Sequence, residues 1–141
     1  RAFELNPNLP NSRYSVLLSQ AGRAPEAVAF LKRLMRADPF YPPIYTYQLG
    51  KAHFFSGQYE QAVELIRVGA KRFPHFRPSL PLFIATAAHA GREDDARAAT
   101  AELRKRQPGF TIAEFLDFMP LVRQQDRDRV VQGLHKLGLQ K

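Results

Sequence analysis

Cysteine is absent from this chain of 141 residues. Its absence excludes disulfides, thiolate zinc sites and cysteine nucleophiles, and it suits a reducing compartment. Long apolar runs are missing too, since no stretch approaches the roughly 18 uninterrupted apolar residues of a membrane span. The first residues do not resemble a signal peptide. We therefore expect a cytoplasmic protein with no membrane span and, because the chain opens with Arg1 and not Met, a piece of a longer protein.

Motifs that carry catalytic or metal chemistry are also missing. The sequence has no Gly-rich phosphate loop, no nucleophile elbow and no paired histidines at one-turn helical spacing. His89 stands four residues before Glu93, the spacing of two ligands on one helix face, but Gly91 between them interrupts the helix. We expect no metal, no cofactor and no enzymatic activity in this chain.

Three blocks of the sequence superimpose with a step of 35 and then 34 residues. Each block has a glycine-led turn, an alanine five residues later and a closing proline: Gly22, Ala27 and Pro39, then Gly57, Ala62 and Pro74, then Gly91, Ala96 and Pro108. Apolar residues between these markers recur at three- and four-residue steps, which is typical of amphipathic helices. A period of about 34 residues is that of a solenoid of helix–turn–helix units.

The second block carries a family resemblance. Its residues resemble the tetratricopeptide repeat, whose Leu-Gly pair, turn glycine, following aromatic, two small residues and final proline are matched by Leu49-Gly50, Gly57, Tyr59, Ala62, Gly69 and Pro74. The chain departs from the family at Thr46, where tryptophan is common, and at His53, where tyrosine is usual. The resemblance implies an all-α, right-handed superhelix of antiparallel helix pairs whose first helices line a concave groove. It also implies a non-catalytic role in protein–protein interaction.

The domain organisation follows from the repeat markers. Residues 1–7 are expected to be the tail of a truncated preceding repeat, 8–41, 42–76 and 77–109 the three repeats, and 110–141 divergent capping helices. Thr111 and Glu114 form a capping-box pattern that opens a short helix ending at Pro120, and a last helix runs from about Asp126. Because a solenoid needs a terminal element with one polar face, we expect this tail to cover the last apolar seam.

A narrower resemblance concerns the same tail. Phe115-Leu116, Pro120, Asp126 and the run 133–139 resemble the ending of tetratricopeptide regions in bacterial class III adenylate/guanylate cyclases, in which the catalytic domain lies upstream. This resemblance implies a regulatory segment of a bacterial signalling protein, one that tunes or oligomerises a cyclase domain of the same polypeptide.

The concave groove is the predicted binding surface. Tyr47 and Phe54 lie two helical turns apart with Lys51 between them, an aromatic–cation–aromatic strip of the residue types in which binding energy concentrates. The alternative is that one or both aromatics pack between neighbouring repeats. The family's clamp for chaperone C-terminal carboxylates is not expected, because Ser12 and Val16 occupy two of its positions. If the repeats pack as in the family, the groove contains Gln20, Tyr47, Lys51, Phe54, Phe55, Ala88 and His89.

A protein or peptide, another domain of the same chain, or a second copy of it is the expected partner of this groove. The net charge of +8 raises a further possibility, because basic proteins also bind nucleic acid or acidic lipid. Basic residues recur in register near the ends of the second helices, at Arg36, Lys71 and Lys105, flanked by Lys32, Arg33, Arg72, Arg104 and Arg106. Cations favour helix C-termini, and no aromatics interleave with these. We therefore favour a solvated convex face over a nucleic-acid site.

Overall fold

A computed structural model describes residues 12–141, and within that range all secondary structure is helical. The helices are α1 (Arg13–Gln20), α2 (Ala24–Ala37), α3 (Ile44–Phe55), α4 (Tyr59–Arg72), α5 (Ser79–His89), α6 (Glu93–Arg106), α7 (Ile112–Phe118) and α8 (Gln124–His135). The all-α prediction is confirmed. The predicted remnant 1–7 and the start of the first repeat lie outside the described residues. None of these eight helices is long and apolar enough to cross a bilayer.

The first six helices form three successive hairpins. Each helix packs against the next one in the chain, and the first helices also contact one another, α1 with α3 and α3 with α5. We call the surface formed by α1, α3 and α5 the inner face, and it corresponds to the predicted concave groove. The arrangement is that of nested helical hairpins, consistent with a helical repeat fold.

The turn glycines explain the period of the sequence. Gly22, Gly57 and Gly91 have φ of +86°, +80° and +77°, a left-handed conformation that costs glycine almost nothing. At each turn the residue after the glycine donates its backbone N–H to a carbonyl five residues earlier, with N···O distances of 2.8, 2.9 and 2.9 Å. This is a helix C-terminal motif that satisfies an orphan carbonyl, and it fixes the exit of each first helix.

Small residues set the distance between paired helices. Ala27, Ala62 and Ala96 are fully buried on the second helices. A side chain at Gly69 on α4 would place its Cβ 2.8 Å from the Cβ of Tyr47 on α3, so only glycine allows this approach. The repeated alanine and glycine positions of the sequence are therefore packing positions.

The fifth helix has no polar face. Every residue from 81 to 88 is buried, and α4 and α6 cover only part of this surface. The remainder is covered by α8, which packs along α5 so closely that a Cβ on Gly133 would lie 2.9 Å from both the Cα and the carbonyl oxygen of Ala85. An element that only ended the stack would contact α6, whereas α8 packs mainly on α5.

The tail crosses all three blocks in order. The backbone N–H of Val122 donates to the carbonyl of Gln20 at the end of α1, and the last residues return to the start of α7, where the N–H of Ile112 donates to the carbonyl of Gln140 (both 2.9 Å). The predicted cap at Thr111 is present, as its hydroxyl accepts from the Glu114 N–H. The short helix ends at Phe118, two residues before the proline, and the last helix begins at Gln124, two residues earlier than predicted.

Candidate functional site

The tail helix covers one half of the inner face. Arg129 on α8 donates from Nη1 to the carbonyl of Phe55 at 2.8 Å, and the Nε2–H of His89 donates to the carbonyl of Arg129 at 2.7 Å. At the end of the tail, Leu137 lines the same small cavity as Ala88, which is only 8% exposed. Two predicted groove residues, Phe55 and His89, are therefore hydrogen-bonded to the chain's own tail.

An aromatic cluster fills the space between the second and third blocks. Phe54 is fully buried, and its ring contacts those of Phe55, Tyr59 and His89 at centroid distances of 4.9, 5.5 and 6.0 Å. His89 also stacks on Tyr59 at 4.7 Å. Of the two interpretations of Phe54, the structure agrees with inter-repeat packing, because no part of this ring is open to a ligand.

An ion pair within the tail positions an arginine against the first block. Asp126 is fully buried and accepts two hydrogen bonds from Arg123, at 3.2 Å from Nε and 3.1 Å from Nη2. The Arg123 side chain in turn lies directly against the Cα of Gly22, in the space that a Cβ there would occupy. A carboxylate without exposure requires such pairing, so the position of Arg123 is well determined.

The other half of the inner face is open. It contains a cavity of about 350 Å³, which we call the groove cavity, between α1, α3, the segment before α5 and the end of α7. Its lining is mainly apolar and comes from Val16, Gln20, Ile44, Tyr47, Gln48, Lys51, Phe76, Pro78, Phe118 and Met119. On its rim, Phe118 is 64% exposed and Phe76 is 38% exposed. Phe118 and Met119, which belong to the tail, thus form one wall of the groove cavity.

Two polar groups in this lining lack partners. Lys51 is 7% exposed, and burial lowers the pKa of its ammonium to about 8 because desolvation disfavours the charged form. Within residues 12–141 the ammonium has no hydrogen-bond or ion-pair partner. The Oε1 atom of Gln48 is also buried without a donor. Tyr47 packs its ring edge-on against Phe76 at 5.2 Å, and burial raises the pKa of its hydroxyl.

The structure therefore divides the predicted groove. Gln20, Tyr47 and Lys51 line the groove cavity, whereas Phe54, Phe55, Ala88 and His89 lie against the tail or in the core beneath it. The role of these seven residues in binding stays a prediction. Sequence reasoning did not place the other seven lining residues in the groove: Val16, Ile44, Gln48, Phe76, Pro78, Phe118 and Met119. For Phe118 the sequence did contain a signal, because its apolar side chain falls on the polar side of a short helix.

The basic residues lie on other surfaces. Arg106 is paired with Glu102 at 2.8 Å and also donates to the carbonyl of Pro74, while Arg104 donates to the carbonyl of Gly138. A cavity of about 440 Å³ beside Lys71 has its central arginine, Arg67, in an ion pair with Asp95 at 2.9 Å. Two cations of the stripe, Arg104 and Arg106, thus hold neighbouring segments together. Within the described residues no three His, Asp or Glu side chains are grouped closely enough to hold a metal ion.

Comparison with known proteins places this geometry in context. The chain is 37% identical over 76 residues to small glutamine-rich tetratricopeptide repeat-containing protein 2 of Mycosarcoma maydis. The match covers 52% of this chain and 21% of that protein, so the chain spans about a fifth of its relative. No protein-family model and no solved structure matches. The similarity supports a tetratricopeptide-repeat family for this chain.

Proposed function

We propose that this chain is a non-catalytic protein-interaction module of the tetratricopeptide type, and that its groove cavity binds an extended peptide segment of a protein partner. The observation that carries the proposal is the groove cavity itself, which combines apolar walls, exposed aromatic side chains on its rim and the polar side chains of Gln20, Gln48 and Lys51 on the inner face. The repeat-containing relative supports a protein partner. Cavities of about 300 Å³ or more with a few convergent polar groups are the usual form of a ligand site.

An extended segment fits this space better than a helix. A helix with its side chains is about 10 Å across, and α8 already occupies the inner face along α5. The remaining cavity of about 350 Å³ lies against α3 and the end of α7. An extended peptide needs only to insert one or two side chains and can leave on either side of the rim.

Selection from a display library of random 12-residue peptides tests this proposal. Phe118→Ala removes a rim aromatic, and Phe40→Ala is its control, because Phe40 is 90% exposed between α2 and α3 and does not line the cavity. We expect selected peptides to perturb the amide signals of Tyr47 and Gln48, and Phe118→Ala to weaken binding about tenfold. Equal affinities for the two variants, or signal changes confined to other surfaces, would refute the assignment of the site.

A second candidate function concerns the longer protein. The residues that resemble the end of cyclase tetratricopeptide regions are the ones that dock the tail, including Phe115 and Leu134, which are both buried. We propose as the alternative that the chain is a regulatory region of a bacterial nucleotide cyclase in the cytoplasm, acting on a catalytic domain of the same polypeptide or through a second copy. The sequence upstream of Arg1 decides this directly, because a cyclase domain must appear there.

A further inference from the structure

The two edges of the helical stack differ in charge. We call the edge with the three hairpin turns the turn edge, and the opposite edge, where α2, α4 and α6 end, the loop edge. Residues 32–43, 71–79 and 102–111 belong to the loop edge, and they contain nine lysines and arginines but two acids. The other positions of the chain hold twelve such cations and eleven acids. Nearly all of the net charge of +8 therefore lies on the loop edge.

Ion pairs neutralise the turn edge and leave the loop edge charged. At the turn edge, Arg92 pairs with Glu60 and Glu64 of the preceding block, with N···O distances of 3.2 and 2.9 Å. All nine cations of the loop edge are exposed, and within residues 12–141 Arg106 alone among them has a carboxylate partner. The other eight form a positive surface, and a surface of one sign attracts molecules of the opposite charge.

Aromatic side chains alternate with these cations. In each loop a phenylalanine follows an arginine by four residues, and the three pairs are Arg36 and Phe40, Arg72 and Phe76, and Arg106 and Phe110. Phe40 is 90% exposed and Phe76 is 38% exposed, whereas Phe110 is partly buried. The helical stripe of cations contains no aromatics, but the loop after each helix supplies one. The preference of cations for helix C-termini does not account for these rings.

The loop edge is concave between the second and third blocks. A cavity of about 440 Å³ has Lys71, Phe76 and Arg106 in its lining, and a cavity of about 590 Å³ has Phe76, Arg77 and Arg106. The two cavities share a ring and a guanidinium, so they adjoin. Arg106 also connects the two loops, since it donates to the carbonyl of Pro74 at 3.2 Å. Both volumes lie within the usual range of ligand sites.

We propose that the loop edge binds single-stranded nucleic acid, with its cations contacting phosphates and its phenylalanines stacking on bases. A single strand alternates a negative charge with a flat apolar surface, and the loop edge repeats the complementary pair three times. Aromatic rings beside a positively charged groove bind such strands without reading their sequence. This surface adds a second kind of partner to the proposed function, because it shares only Phe76 and Pro78 with the groove cavity.

Other polyanions fit the loop edge less well. A flat anionic bilayer would attract the cations and contact Phe40, but it would not enter the two cavities beside Phe76. A duplex keeps its bases stacked on one another, so it would contact the cations alone. An acidic peptide supplies charge without a flat ring beside each charge. RNA and DNA share the phosphates and base faces that the loop edge contacts, so we expect it to bind both equally.

Fluorescence polarisation with labelled oligonucleotides tests the inference. The probes are oligo-dT and oligo-U of about twelve nucleotides, an abasic strand with the same number of phosphates, and a duplex of equal length. We expect both single strands to bind with a Kd of about 10 μM at about 50 mM salt, and about 20-fold more weakly at about 200 mM, which corresponds to roughly three phosphate contacts. The abasic strand and the duplex should bind about tenfold more weakly than the single strands.

Phe40→Ala tests the stacking. This ring is 90% exposed and does not line the groove cavity, so its removal leaves the fold and the groove unchanged. We expect the variant to bind oligo-dT about tenfold more weakly and the abasic strand as before. Val122→Ala is the control, because it removes a 77% exposed apolar side chain near the end of α1, at the turn edge, and should change neither affinity.

A double substitution tests the phosphate contacts. Lys71→Gln with Arg72→Gln removes two exposed charges of the loop edge. We expect it to weaken oligo-dT about tenfold and to reduce the slope of the salt dependence by about 1.4. Arg97→Gln with Lys136→Gln removes the same charge from the turn edge, where both side chains line one cavity, and should leave affinity and slope nearly unchanged.

Every outcome decides the inference. Oligo-dT binding that both loop-edge variants weaken supports it. If the abasic strand or the duplex binds as tightly as oligo-dT, the rings contribute nothing and the inference is overturned. Absence of oligo-dT binding also overturns it, including the case in which phosphatidylserine vesicles or an oligo-glutamate peptide bind instead. A tenfold preference between oligo-dT and oligo-U would contradict recognition through phosphates and base faces alone. Peptide binding in the groove cavity is independent of these results, because Phe40→Ala is neutral there.

Discussion

The two halves of the inner face are built from equivalent helices but differ in how their polar groups are treated. Under the tail, His89 and Arg129 satisfy one another and the carbonyl of Phe55. In the groove cavity, the Lys51 side chain is 7% exposed and its ammonium has no partner within the described residues, and the Oε1 atom of Gln48 is buried without a donor. A completed interface pairs its buried polar groups. By that criterion His89, Arg129 and Phe55 form a completed contact within the chain, whereas the groove cavity keeps an unsatisfied acceptor at Gln48 Oε1.

The composition of the first helices explains which half the tail covers. Residues 81–88 of α5 are apolar or hydrogen-bonded within the helix, as with the Thr86 hydroxyl that donates to the carbonyl of Leu82 at 2.7 Å. Docking a helix on residues 81–88 therefore buries no unpaired charge. The equivalent surface of α3 contains Lys51, and an apolar helix placed against it would bury the ammonium completely. Packing of α8 on α5 therefore avoids the desolvation of Lys51 that packing on α3 would require.

Separating α8 from α5 disrupts the covered half of the inner face and is expected to have the largest effect on stability. Gly133→Leu places a side chain where even a Cβ would lie 2.9 Å from the backbone of Ala85. The buried side chains Val130 and Leu134 are then displaced, and each contributes about 2 kcal/mol when buried. We expect the free energy of unfolding, measured by urea denaturation, to fall by about 4 kcal/mol.

Gly109→Leu is the control for this substitution, since nothing lies within 4 Å of a Cβ at that exposed position. Hydrogen exchange should show loss of protection across residues 121–141 in the Gly133 variant while α3 and α4 stay protected. Retained protection in the tail would mean that α8 is not held by the close approach to α5.

Replacing Lys51 tests the open half of the inner face, because it removes the buried charge there. The folded-state pKa of Lys51 is about 8, below its ordinary value of 10.5, which corresponds to at most about 3 kcal/mol of destabilisation when the lysine is charged. We expect Lys51→Met to raise the free energy of unfolding by about 2 kcal/mol at pH 7, because methionine keeps the packing and removes the desolvation cost. Lys71→Met, at an exposed site, should leave it nearly unchanged.

The pH dependence of that difference has a definite sign. Between about pH 8 and pH 10.5 the unfolded chain holds the Lys51 proton and the folded chain has lost it, so the stability of the unaltered protein rises with pH across this window. The advantage of Lys51→Met is therefore complete below about pH 8 and vanishes by about pH 10.5. A constant difference between the two proteins from pH 6 to pH 10 would show that Lys51 is not desolvated.

The repeats were predictable from the sequence because their causes are local. A left-handed glycine and a buried alanine at a fixed distance determine each hairpin, and the structure has the turns where the markers place them. The groove was only partly predictable, because its outcome depends on contacts between distant residues. Nothing in the periodicity of α3 shows that Phe118 arrives opposite Lys51, or that Arg129 reaches Phe55 from 74 positions away.

The smallest expected effect compares a turn that the tail touches with one that it does not. Gly22 and Gly91 have nearly the same φ, +86° and +77°, but Arg123 packs against Gly22 while nothing lies within 4 Å of a Cβ at Gly91. Gly91→Ala should cost about 1 kcal/mol from backbone strain alone. Gly22→Ala should cost about 1 kcal/mol more, since it displaces the arginine that pairs with buried Asp126. Equal losses in thermal unfolding would show that the packing of Arg123 against Gly22 contributes nothing to stability, and that the tail is held to the first block by other contacts such as the hydrogen bond from the Val122 N–H to the Gln20 carbonyl.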